Sequence, residues 1–171
     1  MIRDIIFKPL TKDASFREGK VYCKLWDRDI SVDLYDQEVT LEYAEKCAEA
    51  MNAMPETMID AICRAAKQYC IEDCTDMDDE YVASLHFAVP INEDTPPKEI
   101  LKCIRPTALV VPTPEDPTRI GFQLSCDCDW ELEHGLEIDI LDDRLVYLGE
   151  YTGESPWEDC SDEGWNYAAQ I

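Results

Sequence analysis

Hydrophobic and polar residues alternate most regularly between positions 118 and 150. The even-numbered residues from 120 to 130 are apolar, whereas the odd-numbered residues from 123 to 129 are polar. A period of two over this length predicts a strand with one buried face. The same alternation returns at residues 136–140, after Gly135, and a third apolar run covers residues 145–148, after Asp142 and Asp143. Glycine and paired aspartates favour turns, so we predict a three-stranded antiparallel meander.

The N-terminal third predicts further strands. Residues 2–10 resemble an edge strand that is ended by Pro9, and residues 21–27 and 30–35 alternate like the two arms of a hairpin. We expect the turn of this hairpin at residues 27–29. Both arms carry apolar residues on one face and polar residues on the other, which predicts half-buried strands.

The middle of the chain shows helical spacing. Thr40 is a suitable N-cap for a helix over residues 41–54, and Pro55 suits the start of a second helix over residues 56–72. An acidic connector at residues 71–79 and a short helix over residues 79–87 are expected to follow. Thr95 would cap a short helix over residues 98–104. A strand over residues 107–111 and a proline-rich connector then lead to the meander.

These elements predict one α+β domain over residues 1–171. Its antiparallel sheet, formed by the C-terminal meander and the N-terminal hairpin, would pack against the helical segment. The tail, residues 151–171, is rich in glycine, serine and acidic residues but contains Trp157, Trp165 and Tyr167. These aromatic side chains would bury a large area by docking on the sheet, so we expect the tail to be ordered.

The charge of the chain narrows the classes of partner. With 38 acidic and 15 basic residues, the formal net charge is −23. Such a field repels nucleic acids and anionic membranes and attracts basic proteins. We therefore expect a basic protein partner, with neither nucleic acid nor membrane as a ligand. No glycine-rich phosphate-binding loop is present, and no cofactor is expected.

The cysteines and the N-terminus indicate a compartment. Nine cysteines in irregular spacing are typical of free, mostly buried thiols in a reducing environment. The first ten residues lack the long apolar stretch of a signal peptide, and no run approaches the length of a membrane span. We expect a cytoplasmic protein.

The carboxylates of the meander are the candidate binding residues. If the first hairpin centres on Glu133, the polar face of the sheet places Asp129 opposite Glu137 and Asp127 opposite Asp139. Directly opposed like charges destabilise a sheet. Three interpretations stay open: a solvated face that keeps the protein soluble, a surface kept for a cationic partner, or a site for a hard metal ion. The residues expected to form a partner-binding surface are Asp127, Asp129, Glu131, Glu137 and Asp139.

Metal and nucleophile chemistry have weaker support. Cys126 and Cys128 are two residues apart on one strand and would both face the core. With His134 they lack the fourth ligand of a zinc site. A cysteine–histidine dyad would need one of these buried thiols to face solvent. Cys70 and Cys74 lie one helical turn apart, and we interpret them as core residues too. We predict no catalytic residue and no metal ligand.

The residues from Asp129 to Leu136 carry a family resemblance. Asp-Trp-Glu-Leu-Glu-His-Gly-Leu, followed by a strand, a tight turn and a strand that ends near Gly149, resembles a hairpin motif of uncharacterised bacterial domains. Some of those domains resemble immunity proteins of polymorphic toxin systems. The resemblance implies a bacterial cytoplasmic protein that binds a partner, and it implies no catalytic residue.

We therefore expect a non-enzymatic acidic binding protein, of the immunity type, that occludes a basic effector. One alternative is an enzyme or a metal-binding domain that combines the same carboxylates with His134. The other is an accessory protein of unknown function whose acidity only maintains solubility.

Overall fold

A single seven-stranded sheet organises the computed structural model, which describes residues 1–9, 15–34, 36, 38–161 and 164–171. The strands lie side by side in chain order, β1 to β7, and only the β3–β4 pair is parallel. The α+β class predicted from the sequence is therefore confirmed. The strands are β1 (Arg3–Pro9), β2 (Ser15–Cys23), β3 (Arg28–Leu34), β4 (Ile104–Val110), β5 (Gly121–Cys128), β6 (Leu136–Leu141) and β7 (Arg144–Glu150).

The helices lie in the connection between β3 and β4. They are α1 (Leu41–Asn52), α2 (Glu56–Asp76), α3 (Asp79–Ser84) and a 3₁₀ helix at Pro97–Cys103, and a second 3₁₀ helix, Tyr167–Gln170, follows the sheet. Parallel neighbours need a long crossover connection, and this helical segment supplies it. As predicted, the Thr40 hydroxyl caps α1 by accepting a hydrogen bond from the Tyr43 amide at 3.1 Å.

The meander supplies one side of the hydrophobic core. The apolar even-numbered residues of β5 are buried together with Leu136, Ile138 and Ile140 of β6. Trp130 has no exposed surface and meets Tyr69 of α2 edge to face, at 5.8 Å between ring centroids. Period-two alternation therefore identified the core face correctly. This face is called the core face below, and the face with Gln123, Glu137 and Asp139 is called the outer face.

Several predicted boundaries were wrong. Helix α2 continues to Asp76, through most of the segment expected to be an acidic connector. Thr95 does not cap the first 3₁₀ helix, whose N-cap residue is Pro96. Strand β4 begins at Ile104, so Pro106 lies inside a strand, beside a register shift in the pairing with β5. The predicted strand ends Leu10 and Tyr35 lie outside the described residues.

The predicted centre of the β5–β6 hairpin was also wrong. Asp139 pairs with Gln123 and Glu137 with Ser125, so the two strands are symmetric about Glu131 and not about Glu133. The reason is a wide loop, residues 129–135, organised by one carboxylate. Glu131 accepts hydrogen bonds from the backbone amides of Glu133 (2.9 Å), His134 (2.6 Å) and Gly135 (2.9 Å). No carboxylates of β5 and β6 are directly opposed in the described pairing.

The C-terminal segment covers part of the outer face. Residues 151–160 cross the sheet, and the Trp157 ring lies so close to Gly121 that an added Cβ there would be 2.8 Å from it. Tyr167 stacks on Tyr69 of α2 at 4.8 Å between ring centroids, whereas Trp165 is 54% exposed. The Asn166 side chain bonds the β7 backbone at Val146 and Leu148 and so covers this edge of the sheet.

All nine cysteines are free thiols, and eight of them are buried, in agreement with the predicted core role. Within the described part of the chain, no helix combines the length and the apolar character that crossing a bilayer requires.

Gly135 provides a test of the hairpin loop. Its φ is +80°, and a Cβ at this position would lie 2.6 Å from the Cys126 carbonyl oxygen. Gly135→Ala should therefore lower the free energy of unfolding by at least about 2 kcal/mol, because backbone strain of roughly 1–2 kcal/mol adds to the clash. Urea denaturation measures the loss.

Gly164→Ala is the matched control, since nothing lies within 4 Å of its added Cβ. It should change the stability by less than about 0.5 kcal/mol, as surface substitutions usually do. Equal stabilities of the two variants would contradict the loop geometry described above.

Candidate functional site

The five carboxylates predicted to form a binding surface do not form one. Only Asp127 is exposed. Asp129, Glu131, Glu137 and Asp139 are all buried, with exposed fractions between 0 and 8%. The expected carboxylate face, bare to water, is therefore wrong for four of the five residues. The physical reason is that other parts of the chain bond these carboxylates: β4 and the segment at Ala88 hold Asp129, the loop folds around Glu131, and the C-terminal segment lies over Glu137.

Asp129 joins three segments at the end of β5. One carboxylate oxygen accepts a hydrogen bond from Arg105 of β4, and the other accepts from the Ala88 amide at 2.8 Å. The Asp129 amide donates to the Cys103 carbonyl at 3.0 Å. Both carboxylate oxygens of Asp129 therefore have hydrogen-bond donors inside the protein, and the residue links β5 to the segments that supply them.

Glu131 and His134 face two further acidic residues. The Nδ1 atom of His134 lies 3.3 Å from Oε2 of Glu131 and 3.1 Å from Oε1 of Glu150, at the end of β7. Asp73, from the last turns of α2, lies on the same side. Burial raises the pKa of Asp73 to about 6, and the charges of Glu131, Glu150 and Asp76 add to the shift. One Asp73 oxygen, Oδ2, is buried without a hydrogen-bond partner.

The loop itself projects from this end of the sheet. Leu132 is 62% exposed, and the His134 and Glu150 side chains are about half exposed. A pocket of about 280 Å³ lies along the loop and includes Arg105 and Asp127. We call the exposed group the loop patch; its members are Asp127, Leu132, Glu133, His134 and Glu150.

Sequence reasoning missed Asp73, Leu132 and Glu150. Asp73 was placed in a connector because the helix was expected to end at Glu72. Glu150 follows the last strand with nothing in its neighbourhood to mark it. Leu132 stands out only once the loop is known to be exposed. His134, considered as part of an alternative site, does lie with carboxylates, but one of its two acidic partners, Glu150, is outside the predicted set.

Metal and thiol chemistry have little support at these positions. Among the described residues, no group of three or more histidine, cysteine or acidic side chains has the arrangement to hold a metal ion. Burial raises the pKa of Cys128 to about 12 and raises that of Cys126 well above its ordinary value. Both thiols are therefore protonated near neutral pH, and a protonated thiol is a poor nucleophile.

Taken together, the fold and the site define an acidic α+β domain with a mostly antiparallel sheet and an exposed loop at one end. Comparison with protein families adds one assignment: the chain belongs to the family DUF6985, a domain of unknown function, whose model matches residues 6–155. No curated protein and no solved structure matches the chain.

The acidic neighbours of Asp73 make its titration testable. In the wild type, Asp73 should titrate near pH 6. Glu150→Gln removes one like charge, so the pKa of Asp73 should fall, because like charges disfavour ionisation. Carboxyl-carbon NMR against pH measures both values.

The raised pKa of Asp73 also determines how the stability of the fold changes with pH. The folded pKa is raised, so this carboxyl group stabilises the fold most below the ordinary carboxyl pKa and loses that contribution as the pH rises through about 6. Asp94→Asn is the control, because Asp94 is an exposed loop residue that does not contribute to the raised pKa of Asp73. It should leave the titration of Asp73 unchanged. A Glu150→Gln variant with an unaltered Asp73 titration would contradict the cluster.

Proposed function

We propose that this protein is a non-enzymatic binding protein, of the immunity type, whose loop patch contacts a basic effector. The observation that carries the proposal is the exposed Leu132 among carboxylates at one end of the sheet. Protein interfaces combine an apolar anchor with a polar rim, and the loop patch has this composition. The bacterial immunity-type assignment rests on the resemblance of the hairpin motif.

The net charge supports the choice of partner. A chain with a charge of −23 attracts a basic protein over a distance of about a Debye length, which speeds association at low salt. In the loop patch, Asp127, Glu133 and Glu150 would meet cationic side chains of the effector, and Leu132 would enter an apolar depression. Occlusion of the effector's active cleft would follow from steric contact alone.

A second candidate function has a specific observation in its favour. His134 contacts Glu131 and Glu150, and the charges of these two carboxylates contribute to the raised pKa of Asp73. A histidine paired with carboxylates in this way resembles an acid–base site. The adjoining pocket of about 280 Å³ is slightly smaller than the usual small-molecule site, which begins at about 300 Å³. An enzyme of this kind would lose turnover in His134→Gln, whereas a binding protein would keep its partner with at most a small change in affinity.

The binding proposal is tested with a charge-matched pair of variants. The probe is the purified product of the gene immediately upstream, because an immunity protein is expected beside its toxin. Asp127→Asn, Glu133→Gln and Glu150→Gln together should slow association by about tenfold or more at low salt. Surface plasmon resonance at low and at physiological salt measures the rates.

The control variant combines Glu49→Gln, Asp94→Asn and Glu115→Gln, three exposed residues outside the loop patch. It removes the same charge and should slow association much less. Leu132→Ser should instead speed dissociation, since it removes the apolar anchor. Equal effects of the two triple variants, an affinity independent of salt, or no binding of the upstream product would contradict the proposal.

A further inference from the structure

A buried carboxylate fastens the C-terminal segment to the sheet. Residues 151–160, called the strap below, cross the outer face above β6. Glu137 has no exposed surface and accepts three hydrogen bonds from the strap: from the amides of Thr152 (3.0 Å) and Gly153 (2.8 Å) and from the Thr152 hydroxyl (3.0 Å). Gln123 adds a bond from its side-chain amide to the Glu154 carbonyl at 3.2 Å. Glu137 therefore supplies most of the hydrogen bonds that the outer face makes to this part of the strap.

The next outward-facing carboxylate lacks such bonding. Asp139 is 1% exposed, and its Oδ1 atom has no hydrogen-bond partner. Leaving a buried ionised oxygen without a donor is costly, and protonation relieves that cost. Burial, followed by the charge of Glu137, raises the pKa of Asp139 well above its ordinary value, and the charges of Glu154 and Glu158 act in the same direction.

The surroundings of Asp139 are mostly acidic or neutral. The amide of Gln123 partly stabilises the ionised form. Burial also raises the pKa of Glu137, in spite of its three donors. The groups that face Asp139 are Glu137 of β6, Gln123 of β5, Tyr147 of β7, and Tyr151, Glu154, Glu158 and Cys160 of the strap.

We propose that the strap is a proton-controlled cover, which lies on the sheet while Asp139 is protonated and is released from the outer face when Asp139 is ionised. Release would expose Glu137, Asp139 and Gln123 as a second acidic surface, in addition to the loop patch. A pocket of about 260 Å³ between the strap and the chain after β4 is lined by Gln123 and Glu154. This proposal is independent of the binding proposal for the loop patch.

The direction of the pH effect follows from the raised pKa. Once the strap is released, Asp139 is solvated and its pKa returns to the ordinary value, about 4. The closed strap is then fully stabilised below that value. The ratio of closed to released strap then falls about tenfold per pH unit until the pH reaches the raised pKa of Asp139. Above that pKa the ratio stays constant.

Hydrogen exchange at the Thr152 and Gly153 amides measures strap closure directly, because both amides donate to Glu137. Protection, corrected for the intrinsic pH dependence of exchange, should fall in the wild type as the pH rises from about 4. Asp139→Asn keeps the shape and removes the ionisation. It should reduce the total fall by at least about tenfold and leave only the part contributed by Glu137.

Two further variants keep the test decisive. Asp127→Asn removes a charge from the exposed end of β5 and should reproduce the wild-type profile. Glu158→Gln changes only an exposed strap residue, so it tests the proposal even if Asp139→Asn fails to fold. Glu158→Gln should reduce the fall in amide protection with rising pH, because it removes a negative charge that acts on Asp139.

The amide of Leu124 in the core of β5 should keep its protection throughout, which distinguishes local release of the strap from global unfolding. A wild-type profile that is flat or rises with pH would overturn the proposal. So would identical profiles for the wild type, Asp139→Asn and Glu158→Gln, or a parallel loss of protection at Leu124.

Discussion

The burial of both faces of the C-terminal meander is the constraint on which the rest of the structure depends. On the core face, apolar residues of β5 and β6 pack against the helices, and Trp130 contacts Tyr69. On the outer face, the strap covers Gln123, Glu137 and Asp139. Polar groups removed from water need internal partners. Glu137 finds three in the strap, and Asp139 keeps one oxygen without a partner.

The acidity of the chain therefore has two structural roles. Part of it is internal: Asp129 joins β5 to β4 and to the segment at Ala88, and Glu131 organises the loop through three backbone amides. The remainder is exposed, and in the loop patch exposed carboxylates surround an exposed apolar side chain, Leu132. A chain with a net charge of −23 can thus hold carboxylates in its interior as well as at a surface suited to a basic partner.

The sequence predicted the sheet better than it predicted the site, for physical reasons. Alternation shows which residues share a face, so the burial of Phe122, Leu124 and Ile138 followed directly. It carries no information about what covers the opposite face, so Glu137 and Asp139 were expected in water. The register of the β5–β6 hairpin depends on hydrogen bonds of the Glu131 carboxylate, and no local sequence pattern predicts these bonds. The parallel β3–β4 pair depended on a crossover of the whole helical segment.

The division between internal and exposed carboxylates is the central claim, and it is open to direct chemical measurement. Carbodiimide coupling of an amine to carboxyl groups, read by peptide mass spectrometry, reports the access of each side chain to solvent. At about pH 4, where the strap is closed, Asp127 and Glu133 should be labelled rapidly, while Glu137 stays unlabelled. Labelling of Glu137 at the rate of Asp127 in the folded protein would contradict the account.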